Sequence, residues 1–223
     1  MRRYVPILPA AMVAMAAPSA AADQDPQFWG QATASGPIAG RVIVWLEGQA
    51  RAGPDGPDGV RQTLVRPALG LRIGKEGSVQ LGYAHVQTGT SRRLATEHRI
   101  WQQLAYAIAA PGRASVTGRT RLEQRDLPGA GGLALRLRQQ VQLAVPIGGK
   151  GLAAILWTEP FLNLNAPRPE LRTGLDRWRT QLGARLPLTR EVALEPGYLL
   201  QYVPRRGQDQ VDHVAVIGFA IRW

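Results

Sequence analysis

The chain has 223 residues, a formal net charge of +11, 45% apolar residues and no cysteine. That length suits one domain with a core of its own, and the apolar content excludes intrinsic disorder. Missing thiols exclude disulfides, thiolate metal centres and a cysteine nucleophile, and three histidines (His85, His98, His213) leave little for a histidine-rich metal site.

At the N-terminus, Arg2 and Arg3 precede a short apolar stretch, Tyr4 to Ala17, followed by Pro18, Ser19 and the run Ala20-Ala21-Ala22. A basic start, an apolar middle and a small-residue exit predict a cleavable secretory signal over 1–22, leaving 23–223 as the mature chain. The stretch is too short for a membrane helix and holds Pro6 and Pro9. No later run is apolar enough for a helical span; the best, Leu152 to Trp157, is closed by Glu159.

Beyond the leader the chain alternates with a period of two. Between Arg113 and Arg125, Val116, Gly118, Thr120 and Leu122 share one face, and Arg119, Arg121, Glu123 and Arg125 share the other. From Leu133 to Val145, Leu135, Leu137, Val141 and Leu143 oppose Arg136, Arg138, Gln140 and Gln142. From Glu191 to Val203, Val192, Leu194, Tyr198, Leu200 and Tyr202 alternate with Glu195 and Gln201. Residues two apart lie on one side of a sheet, so these are strands with one apolar and one polar face. Eleven candidate segments follow: 27–36, 40–50, 60–73, 78–88, 96–109, 113–126, 132–146, 151–164, 172–186, 191–203 and 211–223.

Short breaks, such as Gly74-Lys75-Glu76-Gly77 and Ala110-Pro111-Gly112, alternate with longer ones at 51–59, 88–95, 126–132, 165–172 and 204–210. Amphipathic segments of about a dozen residues, joined alternately by short turns and long loops, predict an all-β fold. The form expected is a single transmembrane antiparallel β-barrel of a Gram-negative outer membrane, with short periplasmic turns and longer outer loops. Bacterial barrels with both ends on the inside have an even strand number. The weakly amphipathic 27–36 is therefore expected at the periplasmic rim or in the lumen, giving about ten strands, with twelve as the alternative. At the C-terminus, Ile217, Phe219, Ile221 and Trp223 form an outward stripe ending on an aromatic residue. That ending resembles the terminal signal by which the barrel-assembly machinery recognises its outer-membrane clients.

Several stretches carry a family resemblance: Leu64 to Gly70, Gly82-Tyr83-Ala84, Glu97 to Gln102, Arg121 to Arg125, Glu159 to Asn165 and Glu195 to Tyr198. Together they resemble a family of bacterial outer-membrane proteins catalogued as a domain of unknown function, number twenty-four ninety. The resemblance spreads over nearly the whole mature chain and implies a single β-barrel. It implies no activity and no catalytic residues.

With the apolar phase turned to lipid, the opposite phase points into the lumen. It carries Arg66, Arg72, Arg99, Arg119, Arg121, Arg136, Arg138, Arg177, Arg179 and Arg185, against Glu47, Glu97, Glu123, Glu159 and Glu195. Neighbouring Arg119/Arg121 and Glu123/Arg125 are expected to form a ladder along their strand. Two readings stay open: an interior filled by arginine–carboxylate networks, or a narrow anion-favouring pore.

An enzyme is not expected. By phase, all three histidines project outward, away from the arginine-lined interior, and Glu97-His98 face opposite ways. A lipid-modifying outer-membrane enzyme remains the minor alternative, beside a lipid- or lipopolysaccharide-binding role. No cofactor, metal or nucleic acid is expected, since the arginines are interleaved along strands rather than clustered. The partners expected are outer-membrane lipid and lipopolysaccharide, the barrel-assembly machinery and periplasmic chaperones. Rim arginines Arg92, Arg93, Arg205 and Arg206 suit lipopolysaccharide phosphate.

Overall fold

The computed structural model describes residues 23–53, 59–74, 76–90, 93–149 and 151–223. The leader expected over 1–22 lies outside these residues, as do Arg92 and the side chain of Arg93. The described residues form eleven strands: β1 (Asp23–Ala39), β2 (Val42–Ala52), β3 (Val60–Ile73), β4 (Gly77–Thr90), β5 (Arg93–Ala109), β6 (Ser115–Asp126), β7 (Ala134–Pro146), β8 (Ala153–Asn163), β9 (Gly174–Pro187), β10 (Val192–Val203) and β11 (Gln210–Arg222). Each strand pairs antiparallel with its chain neighbours, and β1 pairs with β11 to close the barrel.

The alternation seen in the sequence sets which side chains face in. Trp101 is fully buried inside β5, and its neighbour Ile100 is 55% exposed on the outer face. Leu69, Leu81 and Leu182 are likewise exposed, whereas Arg121, Glu123 and Glu159 are buried. The barrel thus has an apolar outside and a charged inside, the reverse of a water-soluble β-barrel.

The strand count corrects the sequence expectation of ten or twelve. Segment 27–36 is neither tucked in the lumen nor confined to a rim: it lies within a full strand. β1 pairs with β11 in parallel from Asp23↔Gln210 to Ser35↔Arg222, and antiparallel with β2 from Phe28↔Ala52 onward. Its inward Gln31, Thr33 and Ser35 oppose outward Gly30, Ala32 and Ala34, so side-chain contrast is weak. Backbone pairing needs no such contrast, and inward Trp29 still packs with Leu199, Val214 and Val216. An odd strand number puts the two ends of the described chain at opposite rims. Asp23 sits at the loop end, where its N–H donates to the Asp209 carbonyl at 2.9 Å. Trp223 sits at the turn end. The expected long break at 88–95 is also shorter, because β4 runs to Thr90 and β5 starts at Arg93.

Trp223 completes the seam from outside. Its indole lies over Gly36 of β1, where a Cβ would come within 2.6 Å of the ring. Its Nε1 donates to the Pro37 carbonyl at 3.3 Å. A side chain at position 36 would displace the indole, so glycine is required there for contact rather than for backbone freedom. Gly82 plays the same part inside, since a Cβ there would meet the Trp101 ring at 2.3 Å.

Because the chain has no native cysteine, the seam is directly testable. Thr33 and Ala220 are Cα partners across it. A Thr33→Cys, Ala220→Cys variant should form an intramolecular disulfide under mild oxidation, read as a reducible gel shift. Failure of that pair to cross-link in folded protein would contradict the eleven-strand closure.

Candidate functional site: an arginine-lined vestibule above a filled lumen

The middle of the lumen is filled by charges of alternating sign. Arg138 of β7 is the hub. Its Nε and Nη2 grip Glu159 of β8 at 3.1 and 2.8 Å, and its Nη1 donates to Glu123 of β6 at 2.8 Å. Arg136 donates to Glu123 through Nε and Nη2 at 3.0 and 2.6 Å, and to Asp176 of β9 at 3.1 Å. Arg119 donates to Glu159 at 2.7 Å, and Arg177 to Asp176 at 2.8 Å. The result is one chain across four strands: Arg119, Glu159, Arg138, Glu123, Arg136, Asp176, Arg177. Beside it, Glu97 accepts from both Arg99 and Arg125, at 2.7 and 2.6 Å. Buried ions cost several kcal/mol each unless paired, and two-pronged guanidinium–carboxylate contacts offset that cost best.

Aromatic rings fill the remaining space. Trp45 and Trp101 meet edge to face, with centroids 5.8 Å apart. The Arg121 guanidinium lies 4.2 Å from the Trp101 centroid and donates to Gln103 Oε1 at 2.9 and 2.6 Å. Phe161 has Arg138 at 4.2 Å and Arg179 at 4.7 Å from its centroid. Trp29 has Arg51 at 3.9 Å and Arg179 at 4.8 Å. Ring faces attract these cations and shield them from solvent, but leave the in-plane N–H donors available.

Above this floor, toward the loop end, lies a cavity of about 940 Å³. Nine arginines line it (Arg51, Arg66, Arg99, Arg125, Arg136, Arg138, Arg168, Arg177 and Arg179), with Glu97 and Asp126 as its acidic members. Two loops roof part of it: Arg168 donates to the Pro128 carbonyl at 3.0 Å, and the Gly131 N–H to Pro167 at 3.3 Å. Below the floor, toward the turn end, the inward residues include Ala105, Thr117, Gln140 and Gln142 beside the partly exposed Arg185–Glu195 pair. The vestibule is therefore a strongly positive cup closed beneath.

Most of the luminal residues expected from the sequence meet in this assembly: Arg66, Arg99, Arg119, Arg121, Glu123, Arg136, Arg138, Glu159, Arg177 and Arg179. Three do not. Arg72 is exposed at the turn end, where its carbonyl accepts from Arg41 at 3.0 and 2.8 Å. Arg185 and Glu195 pair with each other at 2.7 Å near the same rim, each partly exposed and apart from the floor. The expected ladder along β6 is largely replaced by bonds across strands: Arg121 and Glu123 remain 3.9 Å apart along the strand, but Arg119 turns to Glu159. Arg125 turns to Glu97 rather than Glu123.

Sequence reasoning missed Arg51, Asp176 and the four rings. Trp101 shares the parity of Arg99, and Phe161 that of Glu159, so the signal was present. Asp176 was hidden by an irregularity at Phe161/Leu162, where the pairing with β9 shifts from Arg177 to Leu175. One extra residue there turns both Asp176 and Arg177 toward the lumen.

Residues 26–212 match the model of a family described as "Protein of unknown function (DUF2490)". The chain belongs to this family. The matched span covers every luminal residue of the floor and the vestibule. An uncharacterized protein of Methylorubrum extorquens is 31% identical over 204 residues, covering 90% of this chain and 89% of that protein. Among solved structures, an anion-selective porin from Comamonas acidovorans aligns over 82% of this chain at 14% identity, with a TM-score of 0.39. The chain spans 58% of that porin's length.

The floor of this family member gives a contrast in stability. Glu123→Gln leaves Arg136 and Arg138 short of a buried counter-charge and should lower unfolding stability by about 3–5 kcal/mol. Glu195→Gln breaks a partly exposed pair and should lower it by under about 1 kcal/mol. Urea unfolding of the two variants beside the parent checks this. Equal effects would show that the network does not carry the interior.

Proposed function

We propose that the protein is a barrel of the Gram-negative outer membrane whose loop-side vestibule binds an anionic ligand over a closed lumen. Membrane location is supported by the apolar outer face and by strands of 11–17 residues, above the roughly 9–11 that a tilted strand needs to cross a bilayer. The outward stripe of Ile217, Phe219, Ile221 and Trp223, and the leader pattern over 1–22, support it further. In that setting the turn end, with Trp223, faces the periplasm and the vestibule faces outward. Periplasmic chaperones and the barrel-assembly machinery deliver the chain, and lipopolysaccharide surrounds the rim.

The observation that carries the binding reading is the charge of the cup. Nine guanidiniums around one cavity, against Glu97 and Asp126, concentrate positive potential where walls of low dielectric focus it. The buried floor of Arg121, Glu123, Glu159, Trp101 and Phe161 argues against an open pore. A non-enzymatic role is part of the proposal. The histidines sit on the outer face, where Tyr83 bonds His98 and Tyr198 bonds His213, each at 2.5 Å. His98 borders the vestibule with its Nδ1 engaged by Tyr83, and His85 and His213 do not line it.

Two measurements check this. Cell fractionation should place the protein in the outer membrane, with unboiled and boiled samples running differently on a gel; a soluble periplasmic protein without that shift would contradict the location. Detergent-purified protein should bind a trisulfonated fluorescent dye, with affinity falling steeply as salt rises and no binding of a neutral analogue. Absence of dye binding at low salt would contradict the vestibule reading.

A further inference from the structure

We infer that the vestibule contains a phosphoryl-binding subsite built from Arg51, Arg66 and Arg179 beside Trp29; this rests on the anion-binding reading above. Eleven arginines (Arg51, Arg66, Arg99, Arg119, Arg121, Arg125, Arg136, Arg138, Arg168, Arg177 and Arg179) share the mid-lumen and vestibule with seven carboxylates (Glu47, Glu97, Glu123, Asp126, Glu159, Asp176 and the buried Asp212, which accepts from Gln201 and Gln210). The excess is not spread evenly. Among the described residues, Arg51 and Arg179 bond no carboxylate. Arg51 donates to Gln49 Oε1 at 2.9 and 2.7 Å, and Arg179 to Gln201 Oε1 at 2.7 Å. Arg66 reaches Glu47 only at 3.4 Å, and its buried Nε has no partner.

These residues form one group. Arg51 and Arg179 lie 3.9 and 4.8 Å from the centroid of the same Trp29 ring. Arg66 lines the same cavity. Two like charges against one ring, with Arg179 only 7% exposed, are unfavourable without an anion beside them. The geometry is also open for one. Of the Arg179 guanidinium only Nε is engaged, by Gln201, so its two Nη groups remain open to an anion. A single carboxylate offsets one charge. A phosphoryl group brings about 1.5–2 negative charges and three acceptor oxygens, which suits two or three convergent guanidiniums. The group recognised is a phosphoryl, carried either by a free phosphorylated small molecule or by lipopolysaccharide at the outer mouth.

The test uses the full mature chain folded in detergent, with inorganic pyrophosphate titrated calorimetrically and lipopolysaccharide, intact or enzymatically dephosphorylated, in a parallel arm. Arg51→Gln and Arg179→Gln should each weaken binding about tenfold or more, because each removes a charge-assisted contact. Arg113→Gln, in the exposed turn between β5 and β6 at the opposite rim, should not change it. Pyrophosphate binding with that dependence supports the subsite with a free phosphate as ligand. Binding of intact but not dephosphorylated lipopolysaccharide, with the same dependence, supports it with the lipid as source. Anion binding unaltered by both substitutions overturns the subsite and leaves the vestibule reading standing, whereas no anion binding overturns both. Should the glutamine variants not fold, pyrophosphate should still change the parent's tryptophan fluorescence by an amount lost in Trp29→Phe; an identical change in that variant overturns the inference.

Discussion

Every other feature of the barrel depends on charges of opposite sign meeting inside it. A guanidinium or carboxylate away from water costs several kcal/mol unless it is paired, and Arg138 shows how that is met, holding Glu159 with one edge and Glu123 with another. Those bonds tie β6, β7 and β8 together from within, while the ladders tie them along their edges. The same requirement fixes the facing of each strand. A slip of one residue in β6 would send Arg121 and Glu123 to the apolar outside and Leu122 into the network.

The network is also lopsided. Carboxylates are too few for the arginines, and the structure gathers the excess at one level and on one side. Arg119, Arg136 and Arg138 bond carboxylates in the floor, Arg121 bonds Gln103 there, and Arg51 and Arg179, with only amide partners, line the cup above it. The aromatic rings make this arrangement possible. Trp29, Trp101 and Phe161 lie against guanidinium faces, attract them, and exclude water without consuming a donor. A neutral aliphatic filler would close the lumen equally well but would leave the cations with nothing to lie against.

Much of this could be read from the chain. The run Arg119, Arg121, Glu123 at period two, set against Thr120 and Leu122, announces a strand with a charged side, and the outward Ile217, Phe219, Ile221 and Trp223 are where that period puts them. Three things were harder to see, each for a physical reason. β1 has small residues on both faces, so its pattern is faint although its pairing is complete. Asp176 lies at a local irregularity, where strict alternation fails. The inward rings are marked in the sequence only by shared parity with Arg99 or Glu159. Which charge would bond which lay beyond the sequence altogether, because it depends on register between strands.

The central claim is that paired charges close the lumen at mid-height. Planar-bilayer recording of the purified barrel, beside an Arg121→Ala, Glu123→Ala double variant, tests it most directly. The account expects the parent to show no conductance above background across a range of voltages, and the double variant to open anion-preferring steps as the floor is hollowed. Steady anion-preferring conductance in the parent would contradict it and make the arginine lining the wall of a pore.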